Sequence, residues 1–177
     1  MFEGKLSELC KYNTLRWNLI IVMFCWGSTS MGFYMLAFLL KYLKGNIFLN
    51  AYTSSAGEIL GKLSTIAMLK CISLKRVLLV AFCTSSVGML LLILCDGDPI
   101  LTPWVLGLAR IGFSQGFVAV YLTCVLCYPT VLTSTTIGIA TCSSKILTMS
   151  APLIAELDPP INLVILLVIA VSASIVS

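Results

Sequence analysis

Four ionisable side chains stand inside otherwise apolar runs of the chain: Glu58, Lys62, Arg110 and Lys145. A charge at the bilayer centre costs at least ~2.5 to 3.5 kcal/mol on insertion scales, so each is expected to face protein or a water-filled cavity. Glu58 precedes Lys62 by four residues, the favoured order for an ion pair along one helix face. The two either neutralise each other or present a polar face to a wet interior. Lys145 shares a helical face with Ser134, Thr141, Thr148 and Pro152, which recur at steps of seven, four, three and four. Such a stripe alone reads as hydrogen bonding between helices. Because Lys145 has no carboxylate within one turn of its own helix, its partner must come from another helix, from water or from a ligand. A competing arrangement pairs it with Glu58.

Aromatic residues align with these charges. Trp26, Ser30 and Tyr34 fall on one face of their run, and Arg110, Phe117 and Tyr121 on one face of theirs. Such stripes serve as packing or as lipid-facing belts, but aromatic walls beside a few placed charges also suit a pocket for amphiphilic organic ions. Gly57 with Gly61, and Gly112 with Gly116, have the spacing that lets helices approach closely.

Other chemistries find little support. The eight cysteines are scattered and the chain has no histidine, which argues against a zinc or disulfide framework. Cys124 and Cys127 have redox-motif spacing but lie in an apolar run without a βαβ context, where packing explains them. No nucleophile elbow, phosphate loop, zinc-protease motif or catalytic carboxylate pair is present, so no enzyme activity, cofactor or metal is expected. The basic residues, eleven against seven acidic, form no cluster dense enough for nucleic acid.

The elements that must position these residues follow from composition. Of 177 residues about three-fifths are hydrophobic and a tenth charged, whereas soluble domains carry about a quarter charged. Apolar runs of ~20 residues cross a bilayer as helices, because backbone groups in lipid must bond within their own segment. Six are expected, at about 15–40, 46–69, 77–95, 103–127, 131–155 and 161–177, after a cytosolic lead-in at 1–14. The last is barely long enough to span. Asp96-Gly97-Asp98-Pro99 and Glu156-Leu157-Asp158-Pro159-Pro160 form turns, and Lys70, Lys75 and Arg76 form a basic loop. Lys5, Lys11, Arg16, Lys70, Lys75 and Arg76 on one side, against Lys41 and Lys44 on the other, place both termini in the cytosol.

In detail the sequence resembles the carboxy-terminal half of a major facilitator superfamily protein, within the organic cation and organic anion transporter family. Trp26-Gly-Ser-Thr-Ser-Met-Gly-Phe-Tyr34 is similar to that family's seventh helix, and Lys44-Gly-Asn-Ile-Phe-Leu-Asn50 to the Gly-Asn-Ile-Tyr-Leu-Asn that opens its eighth. Glu58 falls at the Val-Glu-x-Pro glutamate. Arg110-Ile-Gly112 resembles the Arg/Lys-x-Gly of the tenth helix, at the family's distance from Tyr128-Pro129-Thr130. Lys145 then stands where transporters of organic anions carry arginine and those of organic cations aspartate. The chain departs from the pattern at Leu126 and Thr133, where the family has its gate glutamate and arginine, and at Leu60, where it has the proline.

The resemblance implies an all-α membrane protein of six transmembrane helices, one half of the superfamily fold, built as two inverted three-helix repeats. It implies transport of small amphiphilic organic ions by alternating access, leaning to organic anions. Trp26, Ser30, Tyr34, Phe117 and Tyr121 would form the wall of the site, Lys145 its selector, and Glu58 and Arg110 its supporting charges. The expected partners are membrane lipids, a small organic ion and, if the chain is complete, a second transporter half or another copy. The expected location is the plasma membrane. The rival reading is a non-transporting assembly subunit derived from a transporter half.

Overall fold

The computed structural model describes residues 13–95, 98–158 and 160–177; most of the 1–14 lead-in, Asp96, Gly97 and Pro159 lie outside the described residues. Everything regular in the described chain is helical. The helices are α1 (Asn13–Leu39), α2 (Ile47–Leu69), α3 (Leu74–Leu94), α4 (Thr102–Cys127), α5 (Thr130–Thr148), α6 (Ala151–Ala155) and α7 (Ile161–Val176).

Local chemistry sets the boundaries. Gly45 takes φ +106°, a left-handed turn that glycine adopts without strain, and Asn46 then caps α2 by accepting from the Phe48 N–H at 2.9 Å. Tyr128-Pro129 separates α4 from α5, because proline disfavours helical backbone in the residue before it. Two boundaries differ from expectation. Lys75 and Arg76 belong to the first turn of α3, not to a loop. The fifth run is interrupted after Thr148 because Pro152 lacks an N–H and its ring crowds the carbonyl four residues earlier, so the chain restarts as the short α6.

Among the described residues, four stretches are long and apolar enough to cross a membrane: Asn13–Leu39, Leu74–Leu94, Thr102–Cys127 and the interrupted Thr130–Ala155. Helix α2 has the length, at 23 residues, but carries Glu58, Lys62 and several hydroxyls. Helix α7 has 16 residues, about 24 Å, against a hydrocarbon core of about 30 Å. Large apolar side chains face outward all round the bundle, among them Leu63, Leu94, Ile146, Leu153 and Ile175, as lipid contact requires and water would penalise.

Helices α1 and α4 stand at the centre. α2 and α3 pack on α4, α5, α6 and α7 pack on α1, and α3 meets α7 at the back. The main contacts map onto one another when α1 exchanges with α4, α2 with α5 and α3 with α7, while the smaller α1–α6, α2–α3 and α4–α5 contacts have no counterpart of similar size. Glycines permit the closest approaches. A Cβ on Gly57 would sit 2.5 Å from the Gly107 carbonyl oxygen, and one on Gly61 2.7 Å from that of Ile111, so α2 and α4 touch backbone to backbone. Gly112 and Gly116 do not serve one interface as their spacing suggests: Gly112 faces the α3 backbone at Ser85 and Gly116 faces Thr29 of α1.

Two apolar clusters fill the bundle. One gathers Met35, Leu36, Met89, Leu106, Phe113 and Leu166, the other Val22, Val77, Phe82, Val120 and Leu132. Buried hydroxyls lie along the same helices, and most bond their own helix: Thr29 to the Cys25 carbonyl at 2.7 Å, Thr65 to Gly61 at 2.8 Å, Thr136 to Leu132 at 3.0 Å. Of the α5 hydroxyls expected to bridge helices, Thr148 bonds its own helix instead, to the Lys145 carbonyl at 3.0 Å, as do the nearby Ser143 and Ser144.

Candidate functional site

Three helices meet at Arg110. Its position on α4 turns it inward, and its side chain is 9% exposed, so a guanidinium there needs partners; both terminal nitrogens find them, while the buried Nε has none among the described residues. Its NH1 donates to the Phe33 carbonyl of α1 at 2.6 Å, its NH2 to Glu58 Oε2 of α2 at 3.3 Å, and its plane lies 3.5 Å from the centre of the Phe33 ring. Ser114, one turn on, donates to the Glu58 carbonyl at 2.9 Å. The other carboxylate oxygen of Glu58 accepts from Lys62 Nζ at 2.6 Å. Glu58 is therefore held between a buried cation on the neighbouring helix and a half-exposed one on its own. The sequence supplies the Glu58 and Lys62 pair, but the Arg110 bond is the one that ties α1, α2 and α4 together.

Lys145 lies elsewhere. From α5 its ammonium donates to the Tyr34 hydroxyl at 2.8 Å and sits 4.5 Å from the centre of that ring. Glu58 is engaged by Lys62 and Arg110, so the arrangement that neutralises Lys145 with Glu58 does not occur. Among the described residues Lys145 has no carboxylate partner. It opens onto a vestibule of about 380 Å³ with Tyr34, Phe38, Thr148, Met149 and Pro152, beside the break in α5.

The aromatic residues divide between two places. Tyr34 belongs to the Lys145 vestibule, whereas Trp26, Phe117 and Tyr121 line a separate open groove of about 660 Å³ with Ile66, Leu69, Lys70, Val118 and Leu122. Trp26 and Tyr34 are eight residues apart, about 12 Å along α1, which a shared helical face does not shorten. Ser30, between them on the same face, is 1% exposed and closed off from both openings. The link between groove and vestibule is Phe33, which the sequence reading passed over. Its ring meets Tyr34 edge-on at 5.7 Å and Phe117 edge-on at 5.2 Å, while Trp26 and Tyr121 stand 6.2 Å apart. Phe33 stands seven residues after Trp26 and three after Ser30, on the same face of α1, so the periodicity that picked out Trp26, Ser30 and Tyr34 extends to it. The arginine gives a second signal, since a buried guanidinium seeks an aromatic face.

No family model matches the chain. It is 28% identical over 179 aligned residues to a Xenopus tropicalis protein named solute carrier family 22 member 15-like, an alignment covering 96% of this chain and 37% of that protein. The chain thus spans little more than a third of the length of the relative it matches.

Proposed function

We propose that the chain forms one half of a membrane transporter of the solute-carrier type, which moves small amphiphilic organic ions by alternating access and favours anions. The observation that carries this reading is Lys145, an ammonium on the open face of α5 whose partner is a neutral phenol. Among the described residues inside the spans, the cations Lys62, Arg110 and Lys145 outnumber the single carboxylate Glu58, which the first two share and Lys145 does not reach. An organic anion entering the vestibule gains a charge partner, and an organic cation meets repulsion. The exchange symmetry of helix packing supports two inverted three-helix repeats, and the partial alignment with a solute carrier supports a site completed by a second half. That half is further sequence, another chain or a second copy. A plasma-membrane location is part of the same reading.

The test is uptake into proteoliposomes by a chimera in which this chain replaces the matching segment of the Xenopus relative. 4-Butylbenzoate should enter faster than 4-butylbenzyltrimethylammonium, and Lys145→Asp should weaken the first and admit the second. Equal uptake of both ions by well-folded protein overturns the anion preference. An assembly role is favoured by one observation, the apolar Leu126 and neutral Thr133 where the resembling family carries its gate charges. A chimera that folds and reaches the membrane but moves neither ion would establish that role instead.

A further inference from the structure

We propose that Lys70 is a second anion-binding station, at the mouth of the aromatic groove, and that it takes an alkyl-aryl carboxylate whose body lies in the groove with its acid on the Lys70 ammonium. The inference rests on the transport reading for its place in a pathway, but not for the binding itself. The groove, at about 660 Å³, falls in the size range of small-molecule sites. Its wall is apolar and aromatic, with one charged side chain, Lys70, which caps the end of α2 and is exposed. Among the described residues Lys70 makes no ion pair. Glu58, the carboxylate of its own helix, is about 18 Å back along α2 and committed to Lys62 and Arg110. An amphiphile with an aryl body and a carboxylate end satisfies every group the groove presents.

The two stations are connected. From Tyr34 beside Lys145, the rings of Phe33 and Phe117 follow at 5.7 and 5.2 Å, and Phe117 shares the groove with Tyr121, Trp26 and Lys70. A solute passing between the stations would meet these rings in turn and exchange one ammonium for the other. Arg110 lies along this route but does not trap the acid, because Glu58 neutralises it. A cation drawn by the same aromatic faces meets at each end an ammonium that has no carboxylate partner among the described residues.

The groove tryptophan reports binding directly. With Trp17 and Trp104, which face outward, replaced as W17F and W104F, the fluorescence of Trp26 is followed in phosphatidylcholine nanodiscs as 4-butylbenzoate is added. The expected result is a saturable change whose dissociation constant rises about fivefold or more in Lys70→Gln, is restored in Lys70→Arg, and stays within about twofold of the parent in Lys44→Gln, which removes an exposed lysine outside both openings. An unchanged constant in Lys70→Gln overturns the station. So does equal weakening by Lys70→Gln and Lys44→Gln, which would mean a general effect of charge, or the lack of a saturable change in protein whose helical circular dichroism is intact. Lys70-dependent binding without uptake by the chimera would remove the transport reading and leave the site standing. Uptake with binding indifferent to Lys70 would do the reverse.

Discussion

Neutralising Glu58 should cost far more stability than neutralising Lys62, although Lys62 makes the shorter bond. The distances to Glu58 are 2.6 Å for Lys62 and 3.3 Å for Arg110, yet the side chains are 52% and 9% exposed respectively. An exposed pair on one helix contributes about 0.2 to 1 kcal/mol, because the freed ammonium is resolvated or snorkels to water. A buried guanidinium deprived of its carboxylate keeps its desolvation cost and loses its counter-charge, a penalty of about 3 to 5 kcal/mol. Glu58→Gln leaves Arg110 with the Phe33 carbonyl and a neutral amide, so the lower end, about 3 kcal/mol, is expected. Lys62→Gln should cost less than about 1 kcal/mol. Arg110→Met removes the stranded charge, so the Glu58→Gln, Arg110→Met double variant should lose at least ~2 kcal/mol less than the sum of the two singles. Unfolding by sodium dodecyl sulfate in mixed micelles, followed by helical circular dichroism, measures all four proteins. Lys62→Gln as damaging as Glu58→Gln, or strict additivity between Glu58 and Arg110, would refute the view that burial outweighs distance here.

The glycine contacts give a paired test by the same assay. Gly57→Ala, which drives a methyl into the Gly107 carbonyl, should destabilise by about 2 kcal/mol, while Gly138→Ala, with nothing within 4 Å, should be neutral or stabilise by about 0.5 to 1 kcal/mol. Equal effects would mean that α2 and α4 do not touch as described. Orientation is read by thiol labelling in intact cells. Cys71, exposed in the turn between α2 and α3, should react with an impermeant maleimide only after the membrane is opened, and a cysteine in place of Asp98 should react before. The opposite order would invert the topology.

The helical, membrane-embedded character was legible because hydropathy and turn residues are local signals: Gly45-Asn46 and Tyr128-Pro129 each end or begin a helix by their own chemistry. The break in α5 was equally local, written in Pro152, but the apolar run around it outweighed a single residue. The site was legible one helix at a time. Glu58 with Lys62 is an i,i+4 pair and needs no tertiary knowledge. Arg110 with Glu58, Lys145 with Tyr34 and Arg110 on Phe33 join residues 52, 111 and 77 positions apart, and helical periodicity alone does not say which faces meet. Shared faces were also read as shared pockets. Trp26 and Tyr34 satisfy the first and not the second, because periodicity fixes azimuth and leaves depth unused.

The bundle is held with unequal firmness, and the charges follow that inequality. Of the apolar part of α4, 67% is buried, and the Arg110 bonds and glycine contacts bind it to α1, α2 and α3. The stretch Thr130–Ala155, by contrast, is 17% buried, keeps most of its hydroxyls to itself and is interrupted after Thr148. Arg110 and Glu58 therefore sit where displacement would strip a buried charge of its partner, at a cost of several kcal/mol. Lys145 sits on a little-buried element, three residues before the break, where, on the proposed reading, side-chain rotation would let its ammonium leave the Tyr34 hydroxyl for an incoming acid. A half that rocks as a unit needs its internal charges immobile and its solute-facing charge adaptable. On the proposed transport reading, the division between a clamped Arg110 and a Lys145 held only by a phenol meets both needs with residues of the same sign, with charge selection assigned to α5 and rigidity to α1, α2 and α4.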